Sequence, residues 1–322
     1  MEGLDKQKVL AIGGPTASGK TALSVQLAHR LNGEIICADS MQIYQGLDVG
    51  TAKVTQQEME GVPHHLVGFL SPECSFSVAE FVQRAHTCIQ EIASKGRLPI
   101  LVGGTGLYIQ SLLYGVQFSQ ESFDPAVRTR LQRQAEEMGA EAMYRKLCQI
   151  DPAYAQTVHP NNVHRVLRAL ELFEGSGITM TQQRKNSLPA EHPYDSVLLC
   201  CTYTDREVLY ERINQRVDWM MEQGLLMEAQ QVYNHQHTWT TAAQAIGYKE
   251  FFPYFTNDKS LDACVEQLKQ ASRNYAKRQL TWFRRMPETI WLEGGPGLMD
   301  QAQQHIKEKW ADLLQGGVYG EI

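Results

Sequence analysis

At 322 residues the chain exceeds one average domain and has room for a main domain carrying a large insertion. With 43% hydrophobic and 20% charged residues and no low-complexity stretch or internal repeat, its composition is that of a globular enzyme and excludes a disordered or fibrous protein. A formal net charge of -6 argues against a general nucleic-acid binder, whose nonspecific affinity rests on neutralising phosphates, but leaves room for a local basic site.

The chain passes from Met1–Lys6 into its first strand without a signal-peptide apolar region, and no apolar stretch nears the length of a membrane span. A cytoplasmic, monomeric enzyme with no membrane partner is expected. That first strand is the apolar run Val9 to Ile12, and Ala22 to Ala28 read as a helix after it. Between them Gly14-Pro15-Thr16-Ala17-Ser18-Gly19-Lys20-Thr21 fits the phosphate-binding pattern G-x-x-x-x-G-K-[ST], in the strand-loop-helix setting that the pattern requires. In such a loop successive backbone N–H groups and a helix N-terminus face an anion, Lys20 supplies a point charge and Thr21 a hydroxyl for Mg²⁺. The motif leaves open which phosphate is held: nucleotide, sugar phosphate or diphosphate.

A second strand, Glu34 to Ala38, closes in Asp39-Ser40-Met41-Gln42. Ser77-Val78-Ala79-Glu80 has capping-box spacing, and Phe81, Val82, Ala85, Ile89 and Ile92 continue one helical face as far as Gly96. Leu98 to Val102 form the third strand and end in Gly103-Gly104-Thr105-Gly106. Alternation of this kind predicts a parallel sheet with helices on both faces and ligands gathered at the C-terminal strand ends, where Lys20, Asp39 and Thr105 all fall. From Phe118 the strand signal disappears, and helical segments (Ala126 to Met138, Ala140 to Cys148, Asn162 to Phe173) run to Pro193. The sheet resumes at Ser196 to Tyr203. Asp205 then opens a long helix that stops near Gly224, residues 225–286 read as helical, and Thr289 to Leu292 are a candidate for one more strand. The expected organisation is a P-loop NTPase-like α/β core from residues 1–117 and 196–322, interrupted by an all-helical insertion over 118–195.

The seven cysteines form no C-x-x-C pair, and Cys200-Cys201 lie inside an apolar run, so buried free thiols are expected instead of disulfides or zinc. His64-His65 and His235/His237 lack partners at metal-site spacing and read as surface or structural histidines. Only Asp39 answers to a Walker-B carboxylate, so the P-loop alone leaves a small-molecule kinase and a diphosphate-using transferase both open.

The P-loop taken together with Ala38 to Tyr44, Gly50-Thr51-Ala52-Lys53, Pro63-His64-His65-Leu66, Gly103 to Tyr108, Ala245-Ile246-Gly247-Tyr248-Lys249 and Lys277-Arg278-Gln279-Leu280-Thr281-Trp282-Phe283-Arg284 resembles the bacterial tRNA dimethylallyltransferases, in order and over nearly the whole chain. The resemblance implies transfer of a dimethylallyl group from its diphosphate to N6 of adenosine 37, next to the anticodon, in tRNAs with an A36-A37-A38 run. Such chemistry needs electrostatic stabilisation of the leaving diphosphate. That role is expected of Gly14 to Thr21 with Mg²⁺ and, by the resemblance, of Thr105 and Arg216. Asp39 is the expected acceptor of the N6 proton. No Asp-Asp pair occurs, so the aspartate-rich Mg²⁺ motif of helical prenyl synthases is missing.

Arg273, Lys277, Arg278, Arg284 and Arg285 lie within thirteen residues that contain no acid, a local basic stripe on an acidic body. Tyr275, Trp282 and Phe283, interleaved with them, are candidates for stacking on bases or for the core. Contacts to the tRNA anticodon stem-loop are expected from Asp39, Ser40, Met41 and Gln42, where a flipped base would be read. The resemblance adds His164, Arg165 and Arg168 in the insertion, Gln244, Gly247 and Lys249, and Lys277, Arg278, Trp282 and Arg284. Two rival readings use the same motifs: a small-molecule kinase, and a nucleotide-switched RNA-binding protein. Free AMP or ADP as acceptor is a third.

Overall fold

In the computed structural model, which describes residues 6–117, 125–187, 189 and 191–314, the apolar runs become strands and the segments after them wind into helices. In chain order these are β1 (Lys8–Gly13), α1 (Lys20–Arg30), β2 (Gly33–Cys37), α2 (Gln56–Met59), β3 (His64–His65), α3 (Val78–Ser94), β4 (Leu98–Val102) and α4 (Gly106–Leu113). After the helical insertion come β5 (Asp195–Thr202), α10 (Arg206–Glu222), α11 (Leu225–Asn234), α12 (Phe252–Phe255), α13 (Leu261–Phe283), β6 (Thr289–Glu293) and α14 (Leu298–Lys309). The six strands pair in parallel throughout, in the order β3-β2-β4-β1-β5-β6. This is the expected P-loop-like α/β core.

Central strands without polar alternation are buried on both faces, as a parallel sheet requires. Leu10, Ile12, Ile35, Ile100, Val197 and Leu199 meet Leu23 and Leu27 of α1 and Ala302 and Ile306 of α14 in one cluster. On the strands Val9, Ala11, Ile36, Leu101 and Leu198 alternate with these and are equally buried. Helices α3 and α4 pack against β1, β2 and β4. Ser77 caps α3 in a reciprocal box with Glu80, as its spacing predicts. A second apolar cluster joins Ile43, Tyr44 and Leu47 to Val217, Leu225, Tyr248, Phe251 and Leu268, and so ties α10, α11 and α13 to the loop after β2.

β3 was not expected, because two histidines carry no apolar signal. His65 holds it in place: its Nε2 lies 2.7 Å from Oε2 of Glu34, a β2 residue only 1% exposed, to which Arg97 (2.7 Å) and Lys95 (3.3 Å) also donate. Burial works to raise the Glu34 carboxyl pKa, but the hydrogen bonds from His65, Arg97 and Lys95 outweigh it and hold the group below its ordinary value.

The chain divides into two compact units, one from residues up to Leu113 together with those from Pro193 on, the other Tyr114–His192. The second is entirely helical among its described residues: α5 (Pro125–Met138), α6 (Ala140–Ile150), α7 (Pro152–Ala155), α8 (Val163–Ser176) and α9 (Met180–Asn186). Leu131, Met143, Leu147, Val166 and Leu170 form its own core. Asp151 caps α7 through Tyr154 N–H and accepts from the Thr181 amide and hydroxyl, which joins α7 to α9. Phe118, taken from sequence as the insertion's first residue, lies outside the described residues. No helix among the described residues is long and apolar enough to cross a membrane, and all seven cysteines are free.

Candidate active site

The C-terminal ends of β1, β2 and β4 converge on one cavity of about 380 Å³. Its floor is the loop between β1 and α1. Gly14 there has φ 131°, and a Cβ at that position would lie 2.3 Å from the Cys201 carbonyl of β5, so only glycine lets the loop start this close to the sheet. The loop stays tight at Ala17, whose φ is 62°, and α10 holds its carbonyl through Arg212 Nε at 3.0 Å. Thr16, Ala17, Ser18, Gly19 and Lys20 line the cavity, whereas Gly14 and Pro15 lie behind it.

Lys20 Nζ bonds the Pro15 carbonyl at 2.5 Å. Burial lowers its pKa to about 8, and the neighbouring Arg216 cation pushes the same way against the pull of Asp39. Arg216, from α10, lines the same cavity with one bond to the Ala52 carbonyl at 3.4 Å, and its Nε is buried without a partner. The Ser18 hydroxyl is likewise buried and unpartnered. Two cationic side chains and an orphan hydroxyl facing the same space have the chemistry that suits an anion.

Asp39 lines the cavity at the end of β2. Its Oδ1 accepts from the amides of Met41 (2.9 Å) and Gln42 (3.4 Å), while Oδ2 accepts nothing from the described residues. Thr105 sits behind the lining: its Oγ1 accepts from the Ser40 amide at 3.0 Å and donates to the Ser40 hydroxyl at 3.4 Å. It therefore fixes the turn that carries Asp39. Ser40, Met41 and Gln42 line the cavity as well, but both Gln42 amide hydrogens are engaged with the carbonyls of Thr51 and Ala52, at 3.2 Å each. Thr21 is exposed on the first turn of α1 and is not among the lining residues.

The opposite wall is apolar, made by Ile213, Val217 and Met220 of α10, Leu268 of α13, and Ala245 and Ile246. At the mouth, Gln244, Lys249 and Arg278 are exposed and line the opening, with Lys249 Nζ 2.9 Å from the Gln244 carbonyl. Gly247 also lines it, its amide donating to the buried Glu250. Lys277 on α13 and Arg284, which caps its C-terminus, are exposed outside the cavity lining. Trp282 packs its indole against Gly106, where a Cβ would lie 2.4 Å away, and Phe283 is fully buried under Gly13, which removes it from the candidates for base stacking. In the helical unit His164, Arg165 and Arg168 are exposed on α8, with Arg168 2.9 Å from Glu171.

Two residues that secure the site have partners that no local sequence pattern reveals. Glu228 of α11 accepts from the amides of Asp48 (2.7 Å), Val49 (2.9 Å) and Gly50 (2.8 Å) and from the Tyr248 hydroxyl (2.7 Å), and so secures the loop whose Gly50, Thr51 and Ala52 wall the cavity. Gln279 of α13, 5% exposed, reaches both the P-loop and the turn after β4.

A phosphate-binding loop at the centre of a parallel sheet, with a carboxylate and an apolar wall sharing one cavity, defines an α/β enzyme built around a phosphorylated, partly apolar substrate. A family model described as IPP transferase matches residues 42–286. The tRNA dimethylallyltransferase of Bacillus subtilis is 53% identical over 291 residues, 90% of this chain and 92% of that protein. That of Bacillus cytotoxicus is 51% identical over 318 residues, 98% and 96% of the two chains. Among solved structures, the full-length tRNA isopentenylpyrophosphate transferase of Bacillus halodurans superimposes with a TM-score of 0.69 at 43% identity, over 96% of this chain and 97% of that one. A eukaryotic dimethylallyltransferase acting on tRNA gives 0.76 at 31% identity, over 95% and 77%. The chain belongs to the IPP transferase family.

Proposed function

We propose that the protein transfers the dimethylallyl group of dimethylallyl diphosphate to N6 of adenosine 37 in tRNAs with an A36-A37-A38 run, releasing diphosphate. The observation that carries this reading is one cavity holding an anion cradle, a carboxylate with a free oxygen and an apolar wall of about the right chemistry for a five-carbon chain. An exocyclic adenine amine is a weak nucleophile, so the reaction depends on ionising the allylic C–O bond. Lys20, Arg216 and the P-loop amides stabilise the departing diphosphate. As the C–N bond forms, the N6 proton passes to Asp39, whose Oδ1 is held by two amides so that Oδ2 faces the acceptor.

The donor set fits a magnesium ion that enters with the substrate: Mg²⁺ takes one or two protein oxygens and completes its shell from phosphate and water. Asp39, which lines the cavity, is the residue that would hold it, and the ion would neutralise charge on the leaving group; the Thr21 hydroxyl, expected from sequence as its ligand, is exposed on α1 outside the lining. Among the described residues no cluster of His, Cys, Asp and Glu forms a dedicated metal cage. The exposed Lys277 and Arg278, with Arg284, present a basic face to the anticodon stem-loop, and His164, Arg165 and Arg168 a second one. Membership of the IPP transferase family disfavours the kinase and nucleotide-switch readings.

The test is transfer of radiolabel from dimethylallyl diphosphate to an anticodon stem-loop carrying A36-A37-A38, with Mg²⁺, beside a loop with A37 replaced by G. Label on the A37 loop alone is expected. Label on neither loop, with ATP consumed in the presence of small acceptors, would return the kinase reading.

A further inference from the structure

Gln279 is a buried polar side chain that bonds two strand-end loops at once. It sits on α13, on the same face as Ser272 and Tyr275, which line the cavity. Its Nε2 donates to the Gly104 carbonyl at 2.9 Å, and its Oε1 accepts from the Thr16 amide at 3.3 Å. Thr16 belongs to the P-loop after β1, and Gly104 to the turn after the neighbouring β4. One amide thus clamps together the ends of two central strands and anchors both to α13. The fit is close, since a Cβ on Gly104 would lie 2.1 Å from Gln279 Nε2. At about 100° per residue, Lys277 and Arg284 project about 160° and 140° away from Gln279 around the helix, so α13 turns a basic face outward and this amide inward.

We infer that Gln279 is a positioning residue that couples nucleic-acid docking on the outer face of α13 to the anion cradle on its inner side. This rests on the reading of α13 as an RNA-binding helix. A shift or stiffening of α13 by RNA on Lys277 and Arg284 reaches the cradle through Gln279, which moves the P-loop amide and the Gly104 turn together. Thr105 follows Gly104 directly and holds Ser40, so the same pull reaches the turn that carries Asp39. Coupling of this kind is reciprocal: RNA tightens dimethylallyl diphosphate by the same factor that the diphosphate tightens RNA.

The experiment measures the Kd of full-length protein for dimethylallyl diphosphate with and without a saturating stem-loop whose A37 is replaced by G, so that no turnover occurs, in the parent and in Gln279→Met, which keeps the side-chain volume but neither hydrogen bond. The parent should show RNA tightening the diphosphate at least fivefold. Gln279→Met should bring that ratio to about one while its RNA Kd without diphosphate stays within twofold of the parent's. Gly104→Ala, which displaces the Gln279 amide from the other side, should lose the coupling in the same way. A parent ratio of one, or a Gln279→Met variant with the parent ratio, overturns the inference. An RNA Kd indifferent to Lys277→Ala takes the outer face of α13 out of the RNA surface and also overturns the inference, while the function reading stands or falls separately on label transfer to the A37 loop.

Discussion

Asp39 and Lys20 face one cavity but are prepared for opposite tasks. Asp39 has one oxygen tied to two backbone amides and the other without a partner among the described residues, where the proposed reaction brings the amine. Asp39→Ala should lower kcat by two to four orders of magnitude, the usual range for losing a general base, and leave RNA affinity near normal. A large loss of binding at unchanged turnover would remove it from the chemistry. Burial lowers the Lys20 pKa to about 8. A bound anion favours the charged form, so bound Lys20 titrates higher than free Lys20. Diphosphate affinity should accordingly be complete below about pH 7 and fall by up to tenfold per pH unit above 8, read from Kd against pH by calorimetry. Lys20→Met should bind weakly and without that slope.

At the scale of elements, the basic face of α13 and the pairing of β2 with β3 make separate predictions. Replacing Lys277 and Arg278 by Ala should weaken RNA binding and reduce the slope of log K against log salt by about 2, one per lost phosphate contact. An unchanged slope takes both residues out of the interface. Glu34→Gln should cost about 2 kcal/mol, because two of its three partners are 41% and 51% exposed and regain water when the carboxylate is gone. The Glu34 carboxyl is held below its ordinary value, so the parent's advantage is present above about pH 4.5 and disappears as the pH falls through the native pKa. Chemical denaturation at pH 7 and at pH 3 reads both points. β1, β2, β4 and β5 were legible as apolar runs, and α3 through its capping box. β3 was not, since its signal is a histidine whose partner lies 31 residues earlier.

For the whole molecule, the cavity draws its lining from Thr16 to Gln279, so occupancy cross-links distant parts of the first unit. Saturation with dimethylallyl diphosphate at a hundredfold over Kd should stabilise the protein by about 2.7 kcal/mol, seen as a rise in Tm that Lys20→Met abolishes. The P-loop could be located from sequence because its pattern is written in eight consecutive residues, and Asp39 because it closes the next apolar strand. The apolar wall could not, because Ile213, Val217, Met220, Leu268 and Ile246 look like any other core residues until α10 and α13 meet. Gln279 stayed hidden inside a basic stretch, its partners 175 and 263 residues away.

The strand order also sets a timetable for synthesis. β1 lies between β4 and β5, and its pairing with β5 runs from Lys8 against Asp195 to Gly13 against Cys200. At about 5 to 20 residues per second, roughly 10 to 40 seconds separate the emergence of these two partners from the ribosome. Through that interval β1, buried from Val9 to Gly13, has one flank open while the helical unit, with a core of its own, is already able to fold. The phosphate loop comes out first but gains its last wall only with α13, so a nascent chain cannot hold diphosphate until nearly the whole protein has been made.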